Sequence, residues 1–199
     1  MSEGLIHYIE TPHPVTGMTN SKLAIWLFLA TEVMLFGGLF SAYILLRTGA
    51  SHWPHGPELL NVPLATVNTM VLITSSVTMV MAWASLVMNK IGRFRGYMAV
   101  TIILALVFLV IKYFEYTAKF HHGHYPSSDN FYGIYFTLTG LHGLHILGGV
   151  LVNAYFLFTV GKGFKDNPKM FTGRVEAAGL YWHFVDLVWI FLFPALYLL

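Results

Sequence analysis

The hydrophobic positions of this chain fall into five long apolar segments with short polar segments between them. A helix needs about 20 residues to cross a hydrocarbon core of about 30 Å, and each of the five segments is at least that long. The apolar residues surround each predicted helix instead of forming one stripe, as is typical of helices in lipid. The pattern predicts an all-α polytopic membrane protein, a bundle of five transmembrane helices over approximately residues 22–46, 63–88, 94–118, 130–160 and 177–199.

The predicted domain organisation is simple. Residues 1–21 form a polar N-terminal segment, and residues 22–199 form a single transmembrane domain. Proline lacks a backbone N–H and is expected at the ends of helices rather than inside them. Pro194 alone falls inside a predicted span, so we expect a kink at the end of the last helix.

The basic residues predict the orientation of the bundle. With five crossings, residues 1–21, the loop over residues 89–95 and the loop over residues 161–174 lie on the same side of the membrane. That side carries eight Lys and Arg residues, whereas the opposite side carries only Arg47 and Lys119. Because cytoplasmic loops are enriched in Lys and Arg, we predict a cytoplasmic N-terminus and a C-terminus outside.

The composition supports a membrane environment and excludes several kinds of site. Of the 199 residues, 56% are hydrophobic and only 10% are charged, whereas soluble domains carry about 25% charged residues. The chain has no cysteine, which excludes disulfides and thiolate ligation of zinc, iron–sulfur clusters or a binuclear copper centre. The formal net charge of +2 gives no indication of a nucleic-acid partner.

Ionisable side chains inside the predicted spans are the candidate functional residues. A charge at the centre of a membrane helix costs about 2.5–3.5 kcal/mol on insertion scales, so each is expected to have a partner or a role. Lys112 and Glu115 are three residues apart near the outer end of the third span, and we expect them to form an ion pair. Glu32 lies about 15 Å inside the first helix, where it is a candidate proton carrier, lipid-headgroup acceptor, interface anchor or internally hydrogen-bonded carboxyl.

The histidines leave two interpretations open. His142 and His145 share a face of the fourth helix, and His183 lies at a similar depth in the fifth. These residues are compatible with the bis-His haem of a membrane cytochrome or with hydrogen bonds between helices. Two histidines on one helix are too few for a zinc site, which favours hydrogen bonding. His183 and Asp186 are also three residues apart, so a bond between them is expected, either as part of a proton relay or as a pair that satisfies itself at a buried interface.

These groups are further expected to act together. We predict one buried polar layer near the middle of the membrane, made of Glu32, His142, His145, His183 and Asp186. Hydrogen bonds between membrane helices are worth only about 0.6 kcal/mol on average. Such a layer would therefore fix helix register and shape a partner surface more than it would add stability.

One long motif resembles a known family. Residues 176–189, EAAGLYWHFVDLVW, resemble the C-terminal signature of subunit III of the haem-copper respiratory oxidases, which comprise cytochrome c and quinol oxidases. Further pieces occur in the order of that family: Glu32 with Leu35, Phe36 and Tyr43, then Leu64 to Asn68 and Thr69, then Glu115 and Tyr116, then GLHGLH at residues 140–145. The resemblance covers residues 22–199 and corresponds to the five-helix form, which lacks the first two helices of seven-helix members.

The resemblance implies a function at the level of the complex. It implies a non-catalytic subunit with no haem or copper of its own, which packs against the catalytic subunit I and supports proton uptake and complex stability. The expected partners are the catalytic subunit I, subunit II and, in some complexes, subunit IV. Haem and copper are then expected on partner subunits. Bound phospholipid, association into a respiratory supercomplex and a location in the bacterial plasma (inner) membrane are further expectations.

The resemblance also selects the residues expected at an interface or a lipid site, without catalytic, cofactor or metal roles. They are Glu32, Asn68, Glu115, His142, His145, Glu176, His183 and Asp186. The alternatives that stay open are a subunit III of a quinol oxidase or of a nitric oxide reductase system, a bis-His haem cytochrome, and a small proton channel. The choice between cytochrome c and quinol as electron donor is made on other subunits.

Overall fold

The computed structural model describes residues 17, 19–54 and 56–199, and these residues are helical apart from short turns. Five helices are long and apolar enough to cross a membrane, which confirms the predicted all-α bundle of five spans. A single helical turn, α2, lies between the first two of them. The elements are α1 (Asn20–Gly49), α2 (Gly56–Leu59), α3 (Val62–Val87), α4 (Ile91–His121), α5 (Asn130–Asp166), α6 (Pro168–Phe193) and a terminal π-helical turn (Pro194–Leu198). The predicted segment 1–21 lies outside the described residues, except for positions 17 and 19–21.

Polar side chains fix where four of the long helices begin. The side chains of Thr19, Asn61, Asp129 and Asn167 accept hydrogen bonds from backbone N–H groups in the first turns of α1, α3, α5 and α6. These N–H groups have no partner within the helix, so the caps stabilise the helix ends. The tight turn from α3 to α4 passes through Asn89, whose φ of 56° is a left-handed conformation that asparagine tolerates well.

The last helix begins earlier than the apolar pattern predicted. Hydropathy placed its start near residue 177, with a loop over residues 161–174, whereas α5 continues to Asp166 and α6 starts at Pro168. The chain reverses at Asn167 alone, where the Asn167 side chain accepts from the Met170 N–H at 3.0 Å. Hydropathy indicates where a helix leaves the lipid, and both α5 and α6 continue as helices beyond that point. The predicted basic loop is therefore a helical corner.

Pro194 is where α6 widens into the π-helical turn. Proline cannot donate the backbone hydrogen bond that would continue an α-helix, and wider i→i+5 turns occur at such interruptions. The structure thus gives a π-helical turn where we predicted a kink. This turn places Tyr197 in the core and brings Leu196 against α2, where Gly56 leaves no room for a side chain: an added Cβ would lie 2.2 Å from the Leu196 carbonyl oxygen.

The five long helices are not equally buried. α6 contacts α1, α3 and α5, and α3 packs along α4. In the most apolar part of α1 only 11% of the residues are buried, against 39% in α3. α1 is therefore a peripheral helix attached mainly to α6 and α5, while α3 to α6 form the body of the bundle.

We predict that Gly149 on α5 is required for the contact with α6. A Cβ at this position would lie 2.6 Å from Cζ3 of Trp182, and the Trp182 ring is held by a hydrogen bond to Ser75. Gly149→Ala should lower the free energy of unfolding in detergent by about 1–3 kcal/mol, as expected for overpacking. Gly143→Ala on the same helix, where an added Cβ meets nothing within 4 Å, is the matched control and should be neutral. Equal stability of the two variants would contradict this prediction.

Candidate functional site

A buried ion pair lies in the half of the bundle where α4 ends and α5 begins. Lys112 Nζ is 2.8 Å from Glu115 Oε2, which confirms the predicted pair. Glu115 Oε1 also accepts hydrogen bonds from the Tyr135 hydroxyl at 3.0 Å and the Tyr197 hydroxyl at 2.8 Å. The carboxylate is thus bound by groups from α4, α5 and the terminal π-helical turn, and it fixes the relative position of these three elements.

Aromatic rings complete the environment of the Lys112 ammonium group. Its Nζ also donates to the Tyr197 hydroxyl and lies 4.5 Å from the centre of the Trp189 ring and 4.8 Å from that of Tyr197. Cation–π contacts of this kind are stronger where water is excluded. In the same region Lys119 donates to the Leu59 carbonyl at 3.1 Å, which ties α4 to the short helix α2.

A second polar contact joins α1 to α5. Glu32 Oε2 lies 2.8 Å from His145 Nε2, and His145 Nδ1 lies 2.8 Å from the Leu141 carbonyl oxygen. A carbonyl only accepts, so Nδ1 carries a proton. The other ring nitrogen, Nε2, is then the one that is hydrogen-bonded to the Glu32 carboxyl group. Both side chains are mostly buried, with exposed fractions of 12% and 14%.

α6 also contacts the segment of α5 that carries His145. The Tyr181 hydroxyl donates to the His145 carbonyl at 2.9 Å, and the ring of Phe36 stands edge-on to the His145 ring. Next to the pair, an apolar groove of about 550 Å³ opens between α1 and α6. Its lining includes Val33, Phe36, Gly37 and Phe40 from α1 and Phe184, Leu187 and Phe191 from α6.

A ladder of three hydrogen bonds connects α3 to α6. Trp189 Nε1 donates to Thr69 Oγ1 at 2.9 Å, Trp182 Nε1 donates to Ser75 Oγ at 3.2 Å, and Ser76 Oγ lies 3.1 Å from His183 Nδ1. From the Thr69 rung to the other two, residue numbers rise by six or seven on α3 and fall by six or seven on α6, so the two helices are antiparallel. Every rung uses a side chain from each helix, which fixes their register.

The expected bond between His183 and Asp186 does not form. His183 bonds to Ser76 instead, and Asp186 Oδ1 is buried without a hydrogen-bond partner among the described residues. Three residues advance a helix by about 300°, so the two side chains point about 60° apart. The edge of the bundle runs between them: His183 is exposed, whereas Asp186 is only 3% exposed.

The prediction of a single polar layer is confirmed only in part. Glu32 and His145 do meet across helices, but His142 is separate from them. The His142 ring stacks on Trp189 with 5.2 Å between centroids and stands edge-on to Phe108 at 5.7 Å. Both of its nitrogens, and the amide group of the fully buried Asn68, have no hydrogen-bond partner in the described part of the chain. Each histidine therefore belongs to a different set of contacts.

The remaining candidate, Glu176, lies at the N-terminal end of the bundle. Its Oε1 is 2.9 Å from Lys22 Nζ, and about one third of each side chain is exposed. At the opposite end of α1, the Tyr43 hydroxyl donates to the Ala195 carbonyl, and Arg47 donates to the Leu199 carbonyl at 3.0 Å. α1 is thus tied to the bundle at both ends and, through Glu32, in between.

Sequence reasoning missed the partners of the predicted residues. Tyr135 and Tyr197 bind Glu115, and Ser76 binds His183. One signal could have located the α3–α6 ladder: Thr69 and Ser76 are seven residues apart, as are Trp182 and Trp189. A seven-residue spacing returns to nearly the same helix face after two turns.

Comparison with known proteins decides the family. The family model described as cytochrome c oxidase subunit III matches residues 3–199. The chain belongs to the cytochrome c oxidase subunit III family. The resemblance inferred from the sequence motifs is thereby confirmed, and the contacts above are those of a five-helix subunit III.

Relatives carry two kinds of name. Over 181 residues the chain is 32% identical to cytochrome c oxidase subunit 3 of Bacillus sp. (strain PS3), with 90% of this chain and 86% of that protein covered. It is 32% identical to cytochrome c oxidase subunit 3 of Bacillus subtilis, again with 90% and 86% covered. It is also 31% identical to cytochrome bo(3) ubiquinol oxidase subunit 3 of Pseudomonas putida, with 89% and 84% covered. The likeness therefore extends over most of both partners in each comparison.

We predict that losing either Lys112 or Glu115 alone destabilises the fold more than losing both together. Removing one member leaves a buried charge uncompensated, which typically costs about 3–5 kcal/mol, whereas apolar replacement of both is often neutral. Lys112→Met and Glu115→Leu should each lower the free energy of unfolding in detergent strongly, and the double variant should recover most of the loss. Tyr197→Phe removes only one neutral donor and should cost about 1 kcal/mol. Additive losses in the double variant would contradict this prediction.

A second prediction concerns the attachment of α1. Glu32→Leu leaves His145 Nε2 without its partner and should destabilise the fold by about 0.6–1.7 kcal/mol, the range measured between membrane helices. Glu32→Gln retains a hydrogen-bonding group and should lose less. Lys22→Met removes a partly exposed pair and should change stability by about 0–1 kcal/mol. Unfolding of the three variants in mild detergent gives the order, and an equal loss in Glu32→Gln and Glu32→Leu would argue against the hydrogen bond.

Proposed function

We propose that this chain is the non-catalytic subunit III of a haem-copper terminal oxidase in an aerobic respiratory chain. The observation that carries the proposal is the family match over residues 3–199. The relatives named above extend along nearly all of the chain and include subunits of cytochrome c and of ubiquinol oxidases. The cytochrome c form is the first candidate because the family model and both Bacillus relatives carry that name. The quinol form is the second, because of the Pseudomonas putida relative.

The proposal places the redox centres on other chains. Subunit I would carry haem and copper, subunit II would be a further partner, and subunit IV would join in complexes that contain one. The contacts of the three intramembrane histidines support a structural role for this chain. His142 packs on Trp189, His145 on Glu32, and His183 on Ser76, so each contributes to helix packing.

Subunit III would support proton uptake and the stability of the catalytic subunit through its shape and its lipids. The groove between α1 and α6 has almost entirely apolar walls, which suits an acyl chain of a bound phospholipid. The Glu32–His145 pair lies beside it and joins α1 to α5. This arrangement would hold the groove open at a defined width while the complex turns over.

The proposal includes an orientation and a membrane. Eight of the eleven Lys and Arg residues flank the N-terminal side of the bundle, and the positive-inside rule makes that side cytoplasmic. The C-terminus would then lie outside. The Bacillus and Pseudomonas relatives are bacterial, which favours the bacterial plasma (inner) membrane.

The test is co-purification from native membranes. A C-terminally tagged chain, extracted in mild detergent, should bring down a haem-containing subunit, a Soret band and oxygen consumption. Reduced cytochrome c or a quinol, supplied as alternative donors, distinguishes the two forms of the oxidase. The chain purified by itself should show no Soret band. Stoichiometric haem on the solitary chain, or a tagged chain that brings down no haem protein, would overturn the proposal.

A further inference from the structure

His183 presents to the surface of the bundle a polar side chain that the described residues satisfy only in part. Exposed Ser and Thr hydroxyls inside the helices donate to carbonyls three or four residues earlier in the same helix, as Thr31, Ser41, Thr48, Thr66, Thr74 and Thr137 all do. Groups bonded in this way can face lipid at little cost. His183 differs, because its side chain is exposed and reaches across to α3.

Only one of the two His183 nitrogens is bonded within the described residues. Nδ1 lies 3.1 Å from Ser76 Oγ, which fixes the ring, while Nε2 makes no hydrogen bond there. Ser76 in turn is only 7% exposed, so it is itself held in place by the packing of α3 against α6. The imidazole is therefore held in one orientation with a free polar edge.

The depth of His183 excludes the usual partners of an exposed polar group. It lies six residues inside the apolar segment that begins near residue 177, which places it about 9 Å into the hydrocarbon core at 1.5 Å per residue. Neither water nor a lipid headgroup is expected at that depth, and acyl chains offer no hydrogen bond. A histidine side chain is also too short to reach the membrane surface from there.

The surroundings of His183 describe the partner. Ile73 and Val80 flank Ser76 on α3, and Leu187 and Ile190 follow His183 on α6, all exposed by 38–56%. This surface, which we call the His183 face, is apolar except for the one imidazole edge. It fits an apolar transmembrane helix that carries a single hydrogen-bonding side chain at the depth of His183.

We propose that the His183 face is the surface on which this subunit docks a transmembrane helix of its oxidase partner, through a hydrogen bond at His183 Nε2 inside the hydrocarbon core. The inference rests on the proposed function and adds the location and chemistry of the contact. The exposed side of α1 has no such requirement, because its exposed hydroxyls bond to their own helix. It can face lipid alone.

Photo-crosslinking in native membranes tests the face while His183 stays intact. A benzophenone amino acid is placed at Val80 or Leu187 on the His183 face, and at Met34 on α1 or Phe158 on α5 as exposed controls. We expect a protein adduct with an oxidase subunit from Val80, which lies away from the α1–α6 groove, and from the side of Leu187 that does not face this groove, and lipid adducts alone from the controls. Lipid adducts alone from the His183 face, or adducts with a second copy of this chain, would overturn the proposal.

A substitution series tests the hydrogen bond. His183→Leu should reduce the haem that co-purifies with the tagged chain by about threefold or more, as expected for one interhelical hydrogen bond. His183→Gln, which keeps an outward polar group, should restore it. Thr74→Val is the matched control, since it removes an exposed hydroxyl already bonded to the Met70 carbonyl. Wild-type recovery with His183→Leu would overturn the proposal.

The two proposals fail in different ways. If the wild-type chain brings down the oxidase but the His183 face gives no crosslink to it, the docking surface is wrong and the proposed function stands. If the wild-type chain brings down no haem protein, the proposed function itself is wrong.

Discussion

The position of α1 depends on polar contacts at its two ends and in its middle. Inside a bilayer, apolar side chains gain little by leaving lipid for another helix, so packing and hydrogen bonds decide which helices associate. α1 has the least buried surface of the five spans. Lys22 bonds Glu176, Glu32 bonds His145, and Tyr43 bonds the Ala195 carbonyl. These contacts lie at the start, middle and end of the helix, so they set both its tilt and its rotation.

In the body of the bundle, hydrogen bonds from tryptophan side chains set the positions of the helices. α6 is attached to α3 by two tryptophan N–H groups, each donating to a hydroxyl, and large rings fill the space around these bonds. Trp189 is fully buried and contacts Phe108, His142 and the Lys112 ammonium group. One side chain thereby links the α3–α6 ladder to the buried ion pair. Directional bonds set the register, and the rings supply the packed area.

The sequence was sufficient for what depends on local spacing. Five apolar segments of the right length predicted five spans, and a separation of three residues predicted the Lys112–Glu115 pair, because both groups lie on one helix. It was insufficient where the partner comes from another helix. His183 and Asp186 have the same separation, yet the imidazole turns to Ser76 on α3, and Glu32 finds His145 on α5. These choices depend on helix rotation, which hydropathy of nearly uniform apolar helices does not encode. The start of α6 at Pro168 was missed for a related reason, since apolarity reports lipid contact and not helical structure.

The intramembrane polar groups can be separated by what surrounds them. Glu115 and Lys112 are satisfied inside the bundle and hold its own elements together. His142 and Asn68 are fully buried without a hydrogen-bond partner among the described residues, so neither is placed to recruit another chain. His183, by contrast, combines a fixed orientation, a nitrogen without a partner among the described residues, exposure and a position inside the hydrocarbon core. An exposed imidazole in lipid has no hydrogen-bond partner, whereas a helix interface at the same depth would make it a determinant of register. Because one such bond adds little affinity, the role that fits it is to select one docking position among the many that smooth apolar helices would otherwise allow.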